Sequence, residues 1–224
     1  MPCRKSRAGR LALVLGLVVP WLVGAQVVRL DPPETPAGYL SLLLINEVPF
    51  PGERGYRSVA DSEAAMLALL WVLHSRLGAI PPGYRQEQVA AVRARSVIDV
   101  VTAPGQVEGF SRDAAGRPVT VPRVRERVGY LMQTANQGEP GKFARLLNRA
   151  AELARDYFRA QQPGGPDVFA SLRRIGSDPV TGRGYSWMTD ADSYHPGGNF
   201  VRIPDAQSGS LGGNRFFTLK QVAP

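Results

Sequence analysis

Cys3 is the only cysteine in 224 residues, and it lies among the first ten. A mature chain without it has no disulfide, no thiol nucleophile and no cysteine metal site. Histidine is nearly as scarce, with only His74 and His195. The chain contains no His-Glu-X-X-His, no Gly-X-Ser-X-Gly and no phosphate-binding loop, so nothing points to the enzyme classes those motifs mark. A long apolar span is missing too. The first apolar run, LALVLGLVVPWLVG, is interrupted by Gly16 and Pro20 and falls short of the roughly 20 residues a membrane span needs.

That run has a different meaning. Arg4, Lys5, Arg7 and Arg10 precede it without an acid, and Val23-Gly24-Ala25 closes it with small residues. Basic, apolar and small-residue segments in that order predict a secretory signal over 1–25. Residues 26–36 read as a leader, and 37–224 as one domain long enough for a single core. The expected protein is exported: periplasmic, envelope-bound or secreted. It has no stable membrane insertion once the signal is removed. The formal charge of +8 becomes +4 when the four signal-segment cations leave. No long basic run remains, so nucleic acid is not an expected partner. A mildly positive surface suits an anionic cell envelope.

Helix signals dominate the middle of the chain. Thr35-Pro36 is a hydroxyl cap followed by a first-turn proline. Tyr39 to Asn46 reads as a helix buried on most sides, stopped by Val48-Pro49-Phe50-Pro51-Gly52. Ser58 and Asp61 fit a capping box. Glu63 to Leu77 is apolar nearly all round, as a central helix is, and ends at Gly78. Gln86 to Arg93 predicts a short helix, and 102–113 a loop. Pro122 to Asn136 and Lys142 to Gln161 follow as amphipathic helices. Beyond residue 175, Gly, Ser, Asp, Asn and aromatics predict turns and short strands packed back on the helices. The fold class is therefore α+β and mostly α, with a small irregular β portion near the C-terminus. That outline suits a lysozyme-like domain.

One residue breaks the apolar pattern. LSLLLINEVPF places Glu47 at the last turn of a buried helix. Burial costs a carboxylate several kcal/mol unless it is paired or protonated. Two explanations compete: an ion pair with Arg54 or Arg76, or a working acid whose raised pKa keeps its proton near neutral pH. A glycoside hydrolase normally needs two carboxylates. A lytic transglycosylase needs one, because the sugar's own C6 hydroxyl attacks and one carboxyl serves as acid and then base. A single buried acid fits the second chemistry.

The ordered set NEVPFPGERGY, VLHSRL, VIDVVTAPGQVEGF and GNRFF resembles the SleB-like, spore cortex-lytic family of cell-wall hydrolases. The resemblance covers roughly 37–218. It implies a lysozyme-like fold that cleaves peptidoglycan glycan strands without a cofactor, with the family's acid at Glu47 and its loop glutamine at Gln106. The family's Gly-Glu-rich segment is split here between Asn46-Glu47 and Gly52-Glu53, so Glu53 is the alternative acid. The chain also departs from the family at Ser75, Val107 and Arg215. Substrate-binding candidates are Gln106, Tyr185, Trp187, Tyr194 and Asn214; the aromatics offer flat faces to sugar rings. Asp190, Asp192 and His195 form a weak metal constellation, since aspartates among glycine and serine are also ordinary turn residues. The rival reading is a catalytically silent envelope domain that binds glycan or protein through its C-terminal segment.

Overall fold

The computed structural model describes residues 28–137, 141–170, 183–189, 195–203 and 210–222. The expected signal segment lies outside them. Helix α1 spans Pro36–Glu47. Thr35 accepts the Gly38 N–H at 3.0 Å and donates its own hydroxyl to the Pro32 carbonyl at 2.8 Å. Leu40, Leu43, Leu44 and Ile45 are all fully buried, each contributing about 1.5–3 kcal/mol by leaving water. Gly38 lets the leader cross the helix closely, because a Cβ there would sit 2.0 Å from the Pro32 carbonyl oxygen. Gly38→Ala is therefore expected to cost about 1–3 kcal/mol as overpacking, despite alanine's better helix propensity. A lowered urea midpoint checks this; an unchanged or raised midpoint contradicts it.

Helix α2, Val59–Gly78, is the central element, capped by Ser58 on the Asp61 N–H at 3.1 Å. Met66, Leu69, Leu70 and Leu73 are fully buried along it. Helix α3, Gln86–Ala90, stops earlier than the expected Arg93, because Ala91 adopts a left-handed conformation with φ 57°. Helix α4, Val97–Thr102, starts at a Ser96/Asp99 capping box. The 102–113 region is not all loop. Phe110–Arg112 (β1) pairs with Pro118–Thr120 (β2) as an antiparallel hairpin. Asp113 organises its turn by accepting the Ala115 and Arg117 N–H groups. Buried Tyr39 ties this hairpin to α1 by donating to the Val119 carbonyl at 2.9 Å, and its phenol pKa is pushed up to about 12 by burial.

Helices α5, Pro122–Gln137, and α6, Lys142–Ala160, complete the helical layer. α1 packs chiefly on α6, with α5 and α2 beside it. The C-terminal strands β3 (Ser186–Thr189), β4 (Phe200–Arg202) and β5 (Asn214–Leu219) form an antiparallel sheet in the order β3-β5-β4. The molecule is thus α+β and mostly α, with small antiparallel sheets. No helix among the described residues is long and apolar enough to cross a membrane.

Candidate functional site around Glu47

Glu47 is the last residue of α1, where the helix loses its regular hydrogen bonds and the chain turns through Pro49. The C-terminal sheet approaches this end. β3 pairs with β5 so that Trp187 lies opposite Phe216. The Trp187 indole Nε1–H donates to Glu47 Oε2 at 2.9 Å, and Asn46 Nδ2 donates to Oε1 at 3.2 Å. Asn214, at the start of β5, donates its Nδ2 to the Glu47 carbonyl oxygen at 2.6 Å. The turn before it is held on α2: Gly212 N–H donates to Asp61 Oδ2 at 2.9 Å, and a Cβ at Gly212 would meet that of Ala65 at 2.4 Å.

Glu47 remains partly exposed to solvent. Burial of its carboxyl pushes the pKa above the ordinary glutamate value; hydrogen bonds from Trp187 and Asn46 oppose the rise, the Glu108 charge adds to it and the Arg127 charge opposes it. The negative end of α1 also disfavours a carboxylate there. No ion pair joins Glu47 to a cation among the described residues. Arg54 is exposed. Arg76 is buried, but it donates Nε to the Tyr185 carbonyl at 2.7 Å and Nη1 to Gln106 Oε1 at 3.0 Å. Its guanidinium carbon sits 5.3 Å from the centre of the Trp187 ring. Gln106, Arg76, Trp187 and Glu47 thus form one connected set.

Glu53 is differently placed. Arg127 engages it with two nitrogens, Nε at 3.0 Å and Nη2 at 2.5 Å, and the Phe50 N–H donates to it at 2.7 Å. Arg127 also donates to the Ile45 carbonyl at 2.6 Å and the Val48 carbonyl at 3.1 Å. Glu53 is therefore the counter-ion of an arginine that caps α1.

The chain matches no protein-family model, no curated protein and no solved structure.

Of the sequence candidates, Trp187 and Asn214 contact Glu47 directly, and Gln106 joins them through Arg76. Tyr185 does not offer a sugar platform: it is 1 % exposed, and its hydroxyl donates to the Ala79 carbonyl at 2.7 Å. Tyr194, Asp190 and Asp192 lie outside the described residues. His195 is exposed, accepts the Gly197 N–H at Nδ1 and stands edge-on to Phe217. No group of three or more metal-ligating side chains occurs among the described residues. His74 stacks on Phe169 at 4.9 Å, the core-edge role its position suggests.

Sequence reasoning missed what Arg76 and Arg127 do. For Arg76 a signal exists: it continues the spacing of Leu69 and Leu73 on α2, which puts a charge on a buried stripe. For Arg127 none exists, because α5 is rich in arginine and nothing local sets this one apart.

Proposed function

We propose that the protein is an exported enzyme that cleaves the glycan strands of peptidoglycan, with Glu47 as its single general acid and base. The observation that carries this reading is a carboxyl under pKa-raising burial, hydrogen-bonded by Trp187 and free of an arginine ion pair among the described residues. A structural ion pair was the alternative explanation for an acid in that position; of its two candidate cations, Arg76 is engaged by Tyr185 and Gln106 and Arg54 is exposed, with no ion pair to Glu47 among the described residues. The SleB-like resemblance supports the same residue, and the mostly α fold agrees with the lysozyme-like outline that the resemblance implies.

The chemistry follows from one carboxyl. Protonated Glu47 gives its proton to the glycosidic oxygen as the C1–O bond breaks and positive charge develops on the sugar ring. The resulting carboxylate takes the proton of the C6 hydroxyl while O6 bonds to C1. The products are a 1,6-anhydro sugar and a free 4-hydroxyl, and Glu47 ends protonated again. Partial exposure gives the acid access to its substrate, and burial keeps its proton available.

Digestion of purified peptidoglycan by residues 26–224, followed by mass spectrometry, tests the reading. Anhydro-muramic ends are expected. Reducing ends would mean hydrolysis, with Glu108 as the first carboxylate to mutate. No cleavage with retained glycan binding would replace the enzyme with a silent binding domain.

Trp187→Phe offers a test with a defined sign. The indole N–H stabilises the charged carboxyl, so its loss raises the Glu47 pKa further. Activity that requires the protonated acid then persists to higher pH. The alkaline limb of kcat/KM should move upward in this variant, even as the maximal rate falls about tenfold. A limb that stays in place separates Trp187 from the acid.

A further inference from the structure

Arg76 is 7 % exposed and has no carboxylate partner among the described residues. Burial lowers its pKa to about 10, so it still carries its charge at neutral pH. An unpaired buried cation is costly, and α2 bears this one against the indole ring that donates to the candidate acid. Its hydrogen bonds explain what the cost secures.

A guanidinium donates and cannot accept. The Gln106 atom facing Arg76 at 3.0 Å is therefore the amide oxygen. The Gln106 amino group is turned away from Arg76, and no protein acceptor takes it among the described residues. The same guanidinium lies over the Trp187 ring, and that ring directs its N–H at Glu47. The Nε–H on the Tyr185 carbonyl anchors the guanidinium to the chain just before β3. One cation thus joins the end of α2, the loop carrying Gln106 and the strand carrying Trp187.

We infer that Arg76 is a positioning residue: it fixes Gln106 as a hydrogen-bond donor towards the ligand and holds the Trp187 N–H on Glu47. The ligand group this arrangement accepts is an acyl carbonyl oxygen, as on an N-acetylated sugar, placed beside the acid. This rests on the reading of Glu47 as a glycan-cleaving acid. Lysine cannot replace the arginine, because a single ammonium lacks the planar fork that reaches the Tyr185 carbonyl, Gln106 and the indole face together.

Two variants and two readouts test it. Gln106→Glu keeps Arg76 and gives it a carboxylate, so a purely structural role predicts unchanged or higher stability and unchanged affinity. The inference predicts a fold at least as stable, with affinity for a β-1,4-linked N-acetylglucosamine trimer weakened at least tenfold. Wild-type affinity in Gln106→Glu overturns it. In Arg76→Lys, the Trp187 indole N–H signal followed by nitrogen-15 NMR should lose the pH-dependent shift that the wild type shows as Glu47 titrates. A wild-type titration in Arg76→Lys overturns it as well. Should the wild type neither bind the trimer nor cleave peptidoglycan, the functional reading fails, and the indole titration alone decides the role of Arg76.

Discussion

On the proposed function, replacing Glu47 with glutamine is expected to remove glycan cleavage and to make the protein more stable at neutral pH. The first effect should be about 10²–10⁴-fold, the usual contribution of a positioned general acid. Glutamine keeps the shape, and its amide oxygen still accepts the Trp187 N–H, but it has no proton to give. The second effect follows from linkage. Burial raises the folded-state pKa of Glu47 above the ordinary 4.5. Below that ordinary value both folded and unfolded chains carry the neutral acid, and burial costs little. As pH rises through the folded pKa, the native state comes to hold a poorly hydrated charge that the unfolded chain holds in water. Wild-type stability therefore drops across that window, and that of the glutamine variant does not. Calorimetry at about pH 3 and about pH 7.5 should give similar melting temperatures for the two proteins at acid pH and a higher one for the variant at neutral pH. An equal difference at both pH values would mean that Glu47 ionises freely. Undiminished cleavage would remove it from the mechanism.

Arg127→Met carries the largest expected stability loss, about 2–4 kcal/mol. Arg127 binds Glu53 through two nitrogens, satisfies the Ile45 and Val48 carbonyls, and lies 5.5 Å from the centre of the Phe50 ring. Removing it strands a half-buried carboxylate and leaves end-of-helix carbonyls without a partner. Because both members of the pair keep some solvent contact, the loss should fall short of a fully buried pair. Urea unfolding measures it. Glu53→Met added to Arg127→Met should recover part of the loss, since the stranded charge then disappears. A loss under about 1 kcal/mol would show that water replaces the arginine at the helix end. Activity should fall with stability here, because the same carbonyls fix the turn that carries Glu47.

The contrast between Glu47 and Glu53 shows how far the sequence could be read. α1 was legible because its signals are local: the Thr35-Pro36 start, the unbroken apolar face, and the Val-Pro-Phe-Pro stop. They place Glu47 at a buried helix end. They do not say which of two nearby acids an arginine claims, since the arginine that claims Glu53 lies 74 residues away and the indole that claims Glu47 lies 140 away. Tyr185 and Trp187 look alike as sugar platforms in the sequence. Only the packing of β3 separates them, burying the tyrosine against Ala79 and bringing the indole N–H to the acid. The β1–β2 hairpin was hidden by strands of three residues, too short for alternation to register. The early end of α3 depends on a left-handed alanine, a conformation its local sequence does not favour.

The tie between Asn214 and the Glu47 carbonyl has a temporal meaning. Protein chains emerge from the ribosome N-terminus first, so the acid is made early, while the two side chains that position it, Trp187 and Asn214, are made late. A nascent chain therefore carries Glu47 before it carries Trp187 and Asn214. On the proposed function, competence to cut the wall arrives only as the last strand closes over α1, which separates the moment of synthesis from the moment of danger to the cell that makes it.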